Sequence, residues 1–212
     1  MNAALSVLIP PERVARWFEN LESRHGHTAL AVVEERLVAT AEDGALAEAS
    51  LPFGHEYDGP PEVSTFAEAA AAPIDWGILL VRKGGFAVAS LHGPKVLLSK
   101  VGQRHVQGRT KAGGQSQQRF ARRRDNQARR AYEAAAEHAH RVLVRESPRP
   151  VGALVCGGDR SAVEAVLSDS RLERLSVVRT KPWLDVPDPR RAVLDQAIAD
   201  GRSVAVTITE PG

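Results

Sequence analysis

The sequence is most easily read from what it lacks. It holds a single cysteine, Cys156, among 212 residues. That excludes a disulfide framework and any cysteine-based zinc site. No apolar run approaches the length of a membrane span. The N-terminus carries no signal-peptide pattern: Ala3 to Ile9 is short, has no basic flank and runs into Pro10-Pro11. A cytoplasmic location is therefore expected. No internal repeat and no convincing domain boundary is visible, so one domain is expected over residues 1–212. Overall charge is also small, at +2. Hydrophobic residues at 43% and charged residues at 25% are those of a globular chain with room for a full core.

What is present is unevenly placed. Lys100 to Arg130 contains ten basic residues: Lys100, Arg104, Arg109, Lys111, Arg119, Arg122, Arg123, Arg124, Arg129 and Arg130. Asp125 is the one acid there, so the stretch carries +9 and the rest of the chain −7. A solvated helix face usually mixes signs to gain i,i+4 pairs. Unmixed positive charge on an acidic body is instead a footprint for phosphate.

The element pattern is mixed. Pro11 and Gly26 bracket a helix over 11–25, with Val14, Trp17, Phe18 and Leu21 at helical spacing. Strands are predicted at Thr28 to Val33 and Arg36 to Thr40. Leu51 to Pro61 reads as an exposed Pro/Gly loop. Thr65 and Glu68 suggest a capping box for a short alanine helix ending at Pro73. Trp76 to Val81, Phe86 to Leu91 and Lys95 to Val101 form a predicted meander around Gly84-Gly85 and His92-Gly93-Pro94. Glycines 102, 108, 113 and 114 loosen the segment that follows, and Gln103 and Gln107 keep it polar. Ser116 is a candidate N-cap for a long helix over about 117–145 with a narrow apolar stripe at Ala121, Ala128, Tyr132, Ala135, Ala139 and Val142. Strands at Val151 to Cys156, Leu175 to Val178 and Ser203 to Thr209 alternate with helices over Ser161 to Leu167 and from Asp188-Pro189 to Gly201. The expected fold is mixed α+β, of the α/β kind. One mixed sheet joins an antiparallel meander to βαβ crossovers, with a long helix after a flexible glycine-rich loop over 102–116.

At the centre of the basic stretch stands Gly113-Gly114-Gln115-Ser116, with Arg119-Phe120-Ala121-Arg122 after it. A glycine pair, an uncharged amide and an arginine-studded helix suit an amide tip pushed into a crowded, phosphate-lined cavity. This run closely resembles the peptide-release loop in the middle domain of eukaryotic and archaeal class-one release factors. Val151-Gly152-Ala153-Leu154-Val155-Cys156-Gly157-Gly158-Asp159 is similar to that domain's apolar strand with its small-residue exit. The layout resembles the Vms-like release factors, in their actinobacterial peptidyl-tRNA hydrolase branch, firmly over 76–180 and more loosely at both ends. Nothing resembles a stop-codon-reading domain, a zinc finger, ankyrin repeats or a segregase-binding tail.

The resemblance implies a ribonuclease-H-like sheet. It also implies a codon-independent peptidyl-tRNA hydrolase that acts in ribosome rescue, on the peptidyl-transferase centre of a stalled ribosome or split large subunit, with no cofactor or metal and as a monomer when free. Gln115 does not titrate and so is no general base. It can orient a water by its side-chain amide, while its backbone N–H donates to the developing oxyanion or the departing ribose oxygen. Gly113 and Gly114 allow close approach to RNA. Ser116 and the basic residues named above form the expected RNA contacts. Phe120 can stack on a base or, more simply, pack the helix onto the sheet.

Two other functions compete. A tRNA 3′-end endonuclease would need a metal or a His/Lys pair; His105 and Lys111 are in the loop but do not make one at the tip. A non-catalytic ribosome- or RNA-binding module would share the basic stretch. Elsewhere, His25, His27, His138 and His140 lack metal-site spacing. Cys156 reads as a buried small residue. Gly157-Gly158-Asp159 reads as a strand-to-helix turn, and Trp17, Trp76 and Trp183 as core or rim residues.

Overall fold

The computed structural model describes residues 4–83, 85–103 and 129–211. The chain divides into two compact units, Met1–Ile74 with Ile198–Gly212, and Asp75–Ala197. Each is built on its own five-stranded sheet.

In the first unit, β1 (Ala4–Ile9) leads through a 3-10 turn at Pro11–Arg13 into α1 (Val14–His25). The hairpin β2 (Thr28–Val33) and β3 (Arg36–Ala41) follows, then β4 (Leu46–Ser50) and α2 (Val63–Ala71). Val14, Phe18 and Leu21 bury the α1 stripe against Leu37, Ala39, Ala47 and Ala49, alternate residues of β3 and β4, while Val38 between two of them is buried as well. Glu34 and Glu35 both take positive φ, at 46° and 61°, as a two-residue turn between twisted strands requires.

The predicted capping box at Thr65 and Glu68 does not form. Helix α2 begins at Val63, two residues before Thr65, and the Thr65 hydroxyl donates back to Glu62 at 3.1 Å. The loop expected to be exposed over 51–61 is partly internal. Tyr57 is buried edge-on against Phe66 at 4.9 Å, and its hydroxyl donates to the Pro60 carbonyl at 2.7 Å.

The second unit opens with the predicted meander: β5 (Asp75–Arg82), β6 (Gly85–His92) and β7 (Lys95–Gln103), antiparallel throughout. Helix α3 is described over 129–140 and passes into a π-type turn at Arg141–Arg145. After it come β8 (Ala153–Gly158), α4 (Arg160–Leu167), α5 (Glu173–Val177), β9 (Arg179–Leu184) and α6 (Arg191–Gly201). The strand order is β7-β6-β5-β8-β9, and β8 runs parallel to both β5 and β9. The predicted meander and crossovers are therefore both present, in this sheet.

The single sheet is not. The last strand, β10 (Val204–Thr209), pairs antiparallel with β1 and β4 in the first unit and leaves the parallel sheet at two crossover strands. Its partners were hidden for separate reasons. Ala4–Ile9 is apolar at nearly every position and so shows no period of two, and Leu46–Ser50 is alanine-rich, a weak strand signature. The strand expected at Leu175 to Val178 is likewise corrected. Leu172 and Leu175, three apart, are fully buried while Val177 is 84% exposed, a helical pattern, and the strand lies beyond it at Arg179–Leu184. Pro182 is tolerated there because β9 is an edge.

Candidate functional site

Gly113, Gly114, Gln115 and Ser116 lie outside the described residues, as do Arg104, Arg109, Lys111, Arg119, Arg122, Arg123 and Arg124; of the loop predicted over 102–116 only Gly102 and Gln103 are described, and they belong to β7. Three of the predicted contacts are described, on the two elements that flank the motif. Lys100 is exposed near the end of β7, and Arg129 and Arg130 are exposed where α3 is first described.

The platform between those flanks is made by one aromatic contact. Phe86 on β6 stands opposite Gly102 on β7 in the antiparallel register. A Cβ on Gly102 would lie 2.3 Å from the Phe86 ring, so the ring occupies the space a side chain would need. Gly102 was expected to loosen a loop; it instead closes a strand. The Phe86 ring also stacks on His138 of α3, with centroids 5.3 Å apart and planes at 24°. The His138 Nδ1 is buried without a hydrogen-bond partner. Burial, and then the charges of Arg141 and Lys100, hold its pKa below the ordinary value, with Glu137 opposing. The imidazole is thus a neutral stacking plate at neutral pH.

Further along, Ala135, Ala139 and Val142 continue the predicted stripe. Ala136 and Leu143 widen it, and together they pack on Leu79, Val81 and Val88. Beside this contact a cavity of about 250 Å³ opens, floored by Phe86, Gly102, Tyr132 and Ala134 and edged by Lys83 and Arg130. Burial first, and Asp159 second, raise the Tyr132 pKa. Sequence reasoning missed Lys83, Phe86 and His138 as parts of one place. The available signal was that the last strand of the meander leads directly into the basic stretch.

The side readings resolve simply. Cys156 is buried, and desolvation pushes its thiol up to about 12, which removes it as a nucleophile at neutral pH. Gly157 and Gly158 are the end of β8, in register with Leu80 and Val81. Asp159 caps α4, accepting from the Ser161 and Ala162 amides. The Ser161 hydroxyl, the largest cause, holds its carboxyl below the usual range. This is a strand-to-helix turn. His25 lies 2.8 Å from Asp43, His27 3.2 Å from Glu22 and His92 2.8 Å from Asp75, as ordinary side-chain pairs. Among the described residues no group of three or more potential ligands could hold a metal ion, and no helix is long and apolar enough to cross a membrane.

The chain resembles the crystal structure of the archaeal translation termination factor aRF1 at 16% identity and a TM-score of 0.38, over 92% of this chain and 63% of that one. It resembles Pelota from Archaeoglobus fulgidus at 10% identity and a TM-score of 0.28, over 94% and 63%. The chain thus spans less than two thirds of the length of either. No curated protein matches it. The model of the actinobacteria/chloroflexi VLRF1 release factor family matches residues 74–207, the second compact unit and the strand that follows it. With that match across more than half its length, the chain belongs to the actinobacteria/chloroflexi VLRF1 release factor family.

Proposed function

We propose that this protein hydrolyses the peptidyl-tRNA ester, independently of any codon, on stalled ribosomes or split large subunits, and so frees the nascent chain in ribosome rescue. The observation that carries the reading is the Gly113-Gly114-Gln115-Ser116 run within a chain of a release factor family, inside a stretch of charge +9. In this reading the whole chain works as one unit in the cytoplasm, as a monomer when free, and the β7-β6-β5-β8-β9 sheet is the ribonuclease-H-like frame of the release loop.

Water attacks the ester carbonyl carbon, the bond to the ribose oxygen breaks, and the water's proton ends on that oxygen. Gln115 holds the water through its amide. Its backbone N–H donates to the oxygen on which charge develops. Gly113 and Gly114 admit the chain to the peptidyl-transferase centre. Lys100, Arg104, Arg109, Lys111, Ser116, Arg119, Arg122, Arg123, Arg124, Arg129 and Arg130 bind phosphates and polar edges of RNA, which positions the tip without reading sequence.

The test is peptide release from large subunits loaded with peptidyl-tRNA. Gln115→Ala keeps the backbone N–H but removes the amide that positions the water, and should lower the rate by about a hundredfold or more, while co-sedimentation with the subunit stays as in the wild type. The released tRNA should keep its 3′ adenosine on a gel. A mutant that frees peptide at the wild-type rate would refute the assignment.

A further inference from the structure

We infer that the cavity beside α3 is a receptor for a single unpaired nucleotide of RNA, its base inside and its phosphate at the rim. The inference rests on the reading of this chain as a factor that binds peptidyl-tRNA on the ribosome, and adds to it a contact that the release motif does not supply.

Shape, lining and charge agree. The volume of about 250 Å³ is just below that of a drug-sized pocket and suits one planar ring system rather than a peptide or a stacked pair. The lining is mostly apolar: the buried Phe86, whose ring stacks on His138, the half-buried Tyr132, and Ala134 on the exposed side of α3. Of the two aromatics Tyr132 is the one with exposed surface, and its ring can accept any base by stacking, since every base has a π-face. The edge is cationic. Lys83 and Arg130 are exposed at the mouth, and Arg129 is exposed next to Arg130. Arg82 also lines the cavity, but its guanidinium donates to the Val186 carbonyl at 2.6 Å and lies 3.9 Å from Asp188, which leaves the first three for phosphate. Asp159 also lies near this edge; its carboxylate accepts from the start of α4 and feels the charge of Lys83. A base stacked in a duplex cannot enter, so the site selects unpaired nucleotides.

Two RNAs offer such a nucleotide, the single-stranded end of tRNA and a looped-out residue of ribosomal RNA. The experiment uses the full chain and two fluorescent RNAs of equal phosphate count, a single strand and a closed hairpin duplex. Ala134→Trp fills the cavity from the solvent side; Lys83→Glu inverts the rim. The wild type should prefer the single strand. Ala134→Trp should weaken single-strand binding about tenfold, the loss of one base stack, and leave the duplex unchanged. Lys83→Glu should weaken both and flatten the salt dependence. A thermal melt of each variant at the wild-type midpoint shows that folding is intact.

If Ala134→Trp holds the single strand as tightly as the wild type, the receptor is wrong. Should Gln115→Ala still lose release in that case, the hydrolase reading survives it. A photo-crosslinking residue at position 83, on loaded large subunits, then identifies the source. Adducts to tRNA or to ribosomal RNA each support the site and name its occupant, and adducts to protein alone overturn it.

Discussion

The two sheets of this protein bury their strands differently. In the first, β2 alternates half-buried and exposed residues, and Ala29, Ala31 and Val33 face out from an edge. In the second, the six central residues of β5 and of β6 are all buried, on both faces. Leu79, Val81 and Val88 pack against α3 and α4, while Trp76, Ile78 and Ala89 are fully buried on the opposite face. On that face Arg191, at the start of α6, donates to Ser99, the β7 partner of Ala89. A strand covered on both sides cannot slip by one residue without exposing one hydrophobic set and crowding another. The basic stretch is thus anchored on the more tightly specified of the two sheets, which suits the proposed role of that sheet as the frame of a release loop.

Two glycines give the sharpest way to break that contrast. Gly44 and Gly158 have nearly the same backbone, with φ of 92° and 90°. A Cβ at Gly44, in the first unit, would meet only Pro211 at 3.9 Å. One at Gly158, in the second, would meet the Val81 carbonyl oxygen at 2.4 Å. Gly44→Ala should therefore cost about 1 kcal/mol, for the left-handed backbone alone. Gly158→Ala should cost roughly 4 kcal/mol, since backbone must move as well. Chemical denaturation of the two variants checks this; equal costs would remove the claimed difference in packing.

A smaller effect is expected at the turn just after Gly158. Asp159→Ala removes the acceptor for the Ser161 and Ala162 amides and should cost about 1 kcal/mol. The capping box predicted at Thr65 makes the instructive control, because its hydroxyl meets Glu62 rather than a free amide. Thr65→Ala should stay within about 0.5 kcal/mol.

These cases also show what the sequence could reveal. The meander, the Asp159 turn and the apolar stripe of α3 were legible because each is a local pattern: tight-turn glycines, a cap, a helical period. The membership of β10 was not, since Val204–Thr209 reads alike whether it pairs in parallel with β8 or antiparallel with β1 and β4. Nor was the Phe86–Gly102–His138 contact. It joins Phe86 to residues 16 and 52 positions away, and a glycine read in isolation signals freedom, whereas this one signals an occupied neighbour. The Gly113-Gly114-Gln115-Ser116 run stood out for the opposite reason: it is an uncommon sequence of adjacent residues, legible without any partner distant in the chain.

The mildest prediction concerns the polar groups in the two cores. Tyr57, in the first, has its hydroxyl satisfied by Pro60. His138, in the second, leaves Nδ1 buried and unpaired. Facing it are Phe86 by stacking, Lys100 on β7, and Arg141 and Glu137 on its own helix, so burial and two of three charges favour the neutral ring. Its folded pKa lies below the ordinary 6.5, so between those two values the unfolded chain binds the proton more readily. The stabilisation is complete above pH 6.5 and declines as the pH falls through that window, levelling off below the folded value. Asp159, Asp169 and Glu137 are lowered from carboxylate values, and their losses come at more acid pH. Denaturant midpoints of the wild type should accordingly drop on going from neutral to mildly acid buffer. His138→Phe keeps a ring against Phe86 without the titrating nitrogen, and its midpoint should change less over the same interval. An identical slope in both proteins would mean that the stacked imidazole does not set the acid sensitivity of this sheet.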